Sequence, residues 1–268
     1  MEDLGILLPT SRTVAGQVSP RKLLIYSPPK VGKTSIISQL ENCLVVETEP
    51  GGADYVDVMK VDINEGDVIK NAQKFNKLLD LLAKEKPYKY VAFDTVTSLD
   101  TWSEIVGTIR YMQTAQGKKF NRDEKGNLIM PNDPEFETVH SLPNGYGYRH
   151  SRDVMSEWFD KMCQCAQHVI FIAHVKDVYV ANKTGDTVQT LDINLTGKVK
   201  DIFGSKVDSI AYLHRIDGKG YLSFKSKDTK YSGSRPSHLK DDILISEMVD
   251  DKLKTYWDKI YLNDKKSI

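Results

Sequence analysis

The segment Ser27-Pro28-Pro29-Lys30-Val31-Gly32-Lys33-Thr34 departs by one letter from G-x-x-x-x-G-K-[ST], with Ser27 where the first Gly is expected. It follows the apolar run Leu23-Leu24-Ile25-Tyr26 and leads into Ser35-Ile36-Ile37-Ser38-Gln39-Leu40, which reads as a helix. Strand, tight loop, helix is the setting in which backbone N–H groups and a helix N-terminus meet phosphates. There Lys33 reaches the β/γ oxygens and the Thr34 hydroxyl takes Mg²⁺, with the cradle running from Ser27 to Ser35. Pro28 and Pro29 stiffen the loop and remove two donors, so Val31 onward must supply most of the N–H groups. The Cβ of Ser27 makes a positive φ harder to adopt there. These residues imply a binder of nucleoside triphosphates.

The rest of the chain supplies a scaffold for such a loop. Its 268 residues suffice for one α/β domain with elaborations. Residues 1–20 read as a lead-in with an apolar knot at Ile6-Leu7-Leu8, 21–246 as the core, and 247–268 as a C-terminal helix and tail. Strands are expected at 22–26, 43–48, 90–94 and 168–174, and helices at about 66–84, 98–111 and 149–167. The pattern breaks over 116–148, a long loop, and 176–205 reads as a polar hairpin or loop. Alternating strands at 207–215 and 221–225 flank Asp217-Gly218, and a last helix is expected over 246–261. Together these predict an α/β fold with a mainly parallel sheet, helices on both faces and a C-terminal antiparallel hairpin.

Composition restricts the partners. Lys+Arg and Asp+Glu both number 37, so any nucleic-acid contact must come from a local basic patch. No apolar run is long enough for a membrane span, and the acidic start Met1-Glu2-Asp3 is unlike a signal peptide. The three cysteines cannot pair completely and lack a four-ligand zinc pattern. A reducing cytoplasm is the expected compartment.

Acidic and polar residues recur at predicted strand ends, where a nucleotide on the loop could reach them. Asp94 ends Tyr90-Val91-Ala92-Phe93 as a carboxylate suited to Mg²⁺. Glu47 and Glu49 end the second strand, and either could polarise the attacking water. His174 ends Phe171-Ile172-Ala173, placed to sense the γ-phosphate.

In this order of motifs the chain resembles the RecA-like branch of P-loop ATPases, from Lys22 to about Arg235. Pro-Pro-Lys-x-Gly-Lys-Thr with Glu-x-Glu-Pro-Gly is similar, more narrowly, to small phage-encoded RecA-like ATPases, some called Sak-type, of single-strand annealing recombination. The resemblance implies ATP and Mg²⁺ as cofactors and a catalytic glutamate at Glu49. It puts the γ-phosphate sensor, commonly Gln, at His174. It also implies a Lys-x-Lys that reaches a neighbour's ATP at Lys225-Ser226-Lys227. The paired ammonium groups share a strand face, which also suits an edge strand that blocks aggregation.

RecA relatives bind single strands through two loops, here about 116–148 and 176–205. Lys118, Lys119, Phe120, Arg122, Lys125, Tyr146, Tyr148 and Arg149 fall in or beside the first, and Lys176, Tyr179, Lys183, Lys198 and Lys200 in the second. Cations with aromatics suit phosphates and stacked bases. The expected partners are single-stranded DNA, further copies of the chain in a ring or filament, and a single-strand binding protein. The expected process is phage or bacterial recombination or replication. A nucleotide-driven protein switch or helicase-loader-like ATPase is the alternative.

Overall fold

Asp67 and Thr95 stop the chain in extended conformation and accept the first free N–H groups of the two longest helices. The structure is a computed structural model and describes residues 10–12, 18–181, 187–226 and 230–262. Ile6-Leu7-Leu8, Lys183 and Lys227 lie outside the described residues. In chain order the elements begin with β1 (Lys22–Ser27), α1 (Lys33–Ile37), β2 (Cys43–Glu47), β3 (Met59–Asp62), α2 (Val68–Glu85) and β4 (Tyr90–Asp94). Then come α3 (Val96–Met112), α4 (Tyr148–Met162), β5 (His168–Ala181), β6 (Thr187–Ile193), α5 (Gly197–Lys206) and β7 (Ser209–Ile216). The last are β8 (Lys219–Ser223), β9 (Gly233–Ser234), β10 (Asp242–Val249) and β11 (Lys252–Thr255).

The sheet order is β11-β10-β8-β7-β1-β5-β4-β2-β3. From β7 to β3 every pairing is parallel, while β8, β10 and β11 add an antiparallel flank. Register matters most for function. Ser27 stands opposite His174, and Glu47 opposite Asp94. The C-terminal ends of β1, β2, β4 and the first half of β5 therefore share one rim, where open α/β sheets bind ligands.

Phe75, Leu79, Trp102, Trp158, Phe159 and Phe203 bury α2 to α5 against one face. The other is covered by Ile36 and Ile37 of α1 together with Leu239, Trp257, Ile260 and Tyr261. Among the described residues, no helix is long and apolar enough to cross a membrane.

Three expectations need correction. The helix over 246–261 does not form. Residues 242–249 form a strand, and Asp250 and Asp251, at φ 49° and 58°, make a two-residue hairpin turn into β11. Leu253, Trp257, Ile260 and Tyr261 imitate helical spacing, but Trp257 to Tyr261 form a short 3-10 turn and its continuation against the sheet. Second, 116–148 is built rather than structureless. It holds 3-10 turns at Gly117–Lys119, Val139–Ser141 and Pro143–Gly145. The Asn121 side chain donates to the Glu137 carbonyl at 2.8 Å and accepts from its N–H at 2.9 Å. A Cβ at Gly147 would lie 1.4 Å from the Val139 carbonyl oxygen, so only glycine allows that approach. Third, the hairpin expected within 176–205 forms as β5–β6, but a helix, α5, which sequence periodicity did not reveal, follows it.

Candidate active site

The chain leaves β1 at Ser27 and enters α1 through Lys30 and Gly32, whose φ angles are 63° and 103°. The left-handed positions thus fall on Lys30 and Gly32, and Ser27 carries no positive φ. Its hydroxyl instead does what a glycine could not. Ser27 Oγ accepts from Lys33 Nζ at 3.1 Å and donates to the Pro28 carbonyl at 2.9 Å. Lys33 Nζ also donates to the Ser27 and Pro28 carbonyls at 3.3 and 3.1 Å, so all three of its donors point at the loop. Burial pushes its pKa down, opposed by Asp94 and Glu49.

Asp94, at the end of β4, accepts from the Thr34 hydroxyl at 2.8 Å. Burial pushes the pKa of this carboxyl up, against the Thr34 hydrogen bond and the Lys33 charge. A hydroxyl and a carboxylate of depressed acidity, side by side with oxygen donors only, fit a hard dication such as Mg²⁺. Lys33, Gly32 and the start of α1 fit the phosphates it would accompany. Thr48 locks β2 to β4 here: its hydroxyl donates to the Thr95 carbonyl at 2.7 Å and accepts from the Thr95 N–H at 2.8 Å.

The two glutamates separate cleanly. Glu49 faces a cleft of about 360 Å³ also lined by Lys30, Gly32, Lys33, Thr34, Asp94 and His174. Its Oε1 accepts from Thr95 Oγ1 at 2.7 Å and Ser98 Oγ at 2.6 Å. His174 Nε2 lies 3.1 and 3.0 Å from Oε1 and Oε2. Burial alone would raise the Glu49 pKa, but the hydrogen bonds from His174, Ser98 and Thr95 outweigh it and hold the carboxyl at about 2. Glu47 is buried behind the rim, accepting from the Ala53 N–H and pairing with Lys60 at 3.1 Å. It braces the turn after β2.

The remaining candidates are spread out. Lys225 follows β8, which runs antiparallel to β7 and so carries it away from the rim; it pairs with Asp241 at 3.4 Å and Asp242 at 3.8 Å. Phe120 packs edge-on to Tyr111 at 5.5 Å, and Arg122 is committed to the Lys118 and Gly126 carbonyls at 2.7 and 2.6 Å. Lys118 and Lys119 are exposed on their 3-10 turn. Lys198 does converge with others: it lines a cavity with Tyr146, Tyr148, Arg149 and Arg152.

Sequence reasoning missed several residues. Thr95 and Ser98 were legible only as helix caps, and Thr95 does accept from the Ser98 N–H while its hydroxyl holds Glu49. Tyr55, 95% exposed, lines the cleft mouth, and Arg215 reaches the loop from β7; neither has a spacing signal.

Comparison with known families agrees with this geometry. A family model described as an AAA domain matches residues 19–236. No curated protein matches the chain. Since the match takes in the phosphate loop, both glutamates, Asp94, His174 and the whole parallel sheet, the chain belongs to the AAA-domain family of P-loop ATPases.

Proposed function

We propose that this ATPase is a RecA-like protein that acts on single-stranded DNA as an oligomer, in phage or bacterial recombination or replication. Lys33 holds the β/γ oxygens, and Thr34 and Asp94 hold Mg²⁺, which neutralises phosphate charge when bound. Thr95 and Ser98 load Glu49 Oε1, while Oε2, 3.0 Å from His174 Nε2, takes the proton of the attacking water once His174 leaves it. A carboxyl with a pKa of about 2 is a weak base. Transfer of His174 from Glu49 to the γ-phosphate strengthens that base, which gives the sensor its effect.

The DNA reading is carried by one observation. The ends of the two segments singled out in the sequence meet at a cavity of about 540 Å³ between the starts of α4 and α5. Arg149, Arg152 and Lys198 line it with Tyr146 and Tyr148, which are 50% and 47% exposed. Among the described residues, neither Arg152 nor Lys198 has an acidic partner, while Arg149 shares Asp153 at 3.6 Å. Free cations beside exposed rings suit a phosphodiester strand with stacked bases.

The test is a titration of labelled single-stranded oligonucleotide across a salt series with ATP and Mg²⁺ present. Replacing Arg152 and Lys198 together by Ala is expected to flatten the log–log salt slope by about 1.4, since each phosphate contact on a single strand contributes about 0.7. Tyr146→Ala is expected to weaken binding by about 1–3 kcal/mol with the slope unchanged. Absence of wild-type binding at low salt would leave the protein-switch reading in its place.

A further inference from the structure

We infer that Arg215 is a positioning residue of the phosphate loop, acting on nucleotide through the Val31–Gly32 peptide. β7 lies parallel to β1, with Tyr212 opposite Tyr26, and runs on to Ile216 alongside the loop. That overhang brings Arg215 to the loop's outer side, where its Nε donates to the Val31 carbonyl at 2.8 Å. Among the described residues this is the one hydrogen bond of its side chain, and no carboxylate competes for it. The guanidinium lies so close that a Cβ on Gly32 would meet Nη2 at 2.8 Å.

A trans peptide points its carbonyl and the following N–H in opposite directions. Fixing the Val31 carbonyl on Arg215 therefore fixes the Gly32 N–H on the opposite side, away from the guanidinium. This amide counts for more here than in a glycine-rich loop, because Pro28 and Pro29 donate nothing. Gly32, at φ 103°, also has the conformational freedom to let that peptide turn unless something holds it. Arg suits the task because Nε can engage the carbonyl while Nη2 of the same planar group turns toward the glycine.

The inference rests on the loop binding a polyphosphate, and one experiment separates the two ideas. Isothermal titration of wild type with Mg·ADP and Mg·ATP reports on the loop, and the ratio of variant to wild-type affinity reports on Arg215. For Arg215→Ala we expect ADP and ATP to weaken by the same factor, about tenfold for one charge-assisted hydrogen bond. Turnover at saturating ATP should stay within about twofold. Arg215→Lys, which keeps a donor and a charge, should recover part of the affinity. The side chain is exposed, so thermal unfolding of both variants should match wild type. Unchanged affinities in Arg215→Ala would overturn the assignment. So would a loss for ATP alone, which would make Arg215 a direct γ-phosphate contact, or a fall in turnover with affinity intact.

Discussion

At the scale of single residues, two glutamates two positions apart stand in different surroundings. Glu49→Gln is expected to keep ATP binding and lower hydrolysis by a factor of about 100 or more. Glu47→Ala should instead leave the buried Ala53 N–H without its acceptor, a loss of about 1–3 kcal/mol of stability with most of the turnover retained. Steady-state hydrolysis and thermal unfolding of both variants check this pair. The pKa of Glu49 adds a pH dependence. Because its folded value of about 2 lies below the ordinary carboxylate value, its contribution to stability is present above about pH 4.5. That contribution drains away as pH falls toward 2, so Glu49→Gln should show a flatter decline in unfolding temperature through that window. Strand-end placement of these residues was readable from the sequence, since four apolar residues before Asp94 or His174 mark a buried parallel strand. Which glutamate turns into the cleft was not. That depends on the chain after β2, where the Ala53 N–H in the turn and Lys60 on β3 claim Glu47.

At the scale of elements, the parallel half of the fold was legible and the flanks were not. Central strands announce themselves as continuous apolar runs, and α2 carries its own cap at Asp67. β3 is exposed and short, with Met59 and Lys60 outward, so it lacks that signal. The C-terminal segment misled for a different reason: spacing within 253–261 fits either a helix or a strand, turn and anchor. Tertiary contact decides, because Trp257 Nε1 donates to the Ile36 carbonyl at 2.7 Å and buries its ring against the face that α1 also covers. Trp257→Ala is expected to cost about 3–5 kcal/mol by denaturant unfolding. It should also weaken nucleotide binding, since Ile36 lies within the helix that begins at Lys33. Trp257→Phe, which keeps most of the volume and loses the hydrogen bond, should fall between.

At the scale of the molecule, Lys225 stands outside the cleft formed by its own chain, so its proposed partner is a neighbour's nucleotide. Mixing Lys227→Ala chains with Glu49→Gln chains should then restore part of the hydrolysis that each lacks alone, and specific activity should rise with protein concentration. A first-order ATPase with no complementation would assign Lys225 and Lys227 to a solvated edge. Within one chain, α3 joins the two proposed sites. Its first turn holds Glu49 through Ser98, and Asp100, two residues on, accepts from the Thr196 N–H at 2.6 Å and hydroxyl at 2.7 Å, at the lip of the Tyr146–Lys198 cavity. Both contacts lie in the first turns of α3, so a coupling between the two proposed sites would pass through this short segment and would be reciprocal. Whatever factor ATP applies to the dissociation constant for an oligonucleotide, the oligonucleotide must apply to that for ATP. Asp100→Asn should move both factors toward one together, and never one without the other.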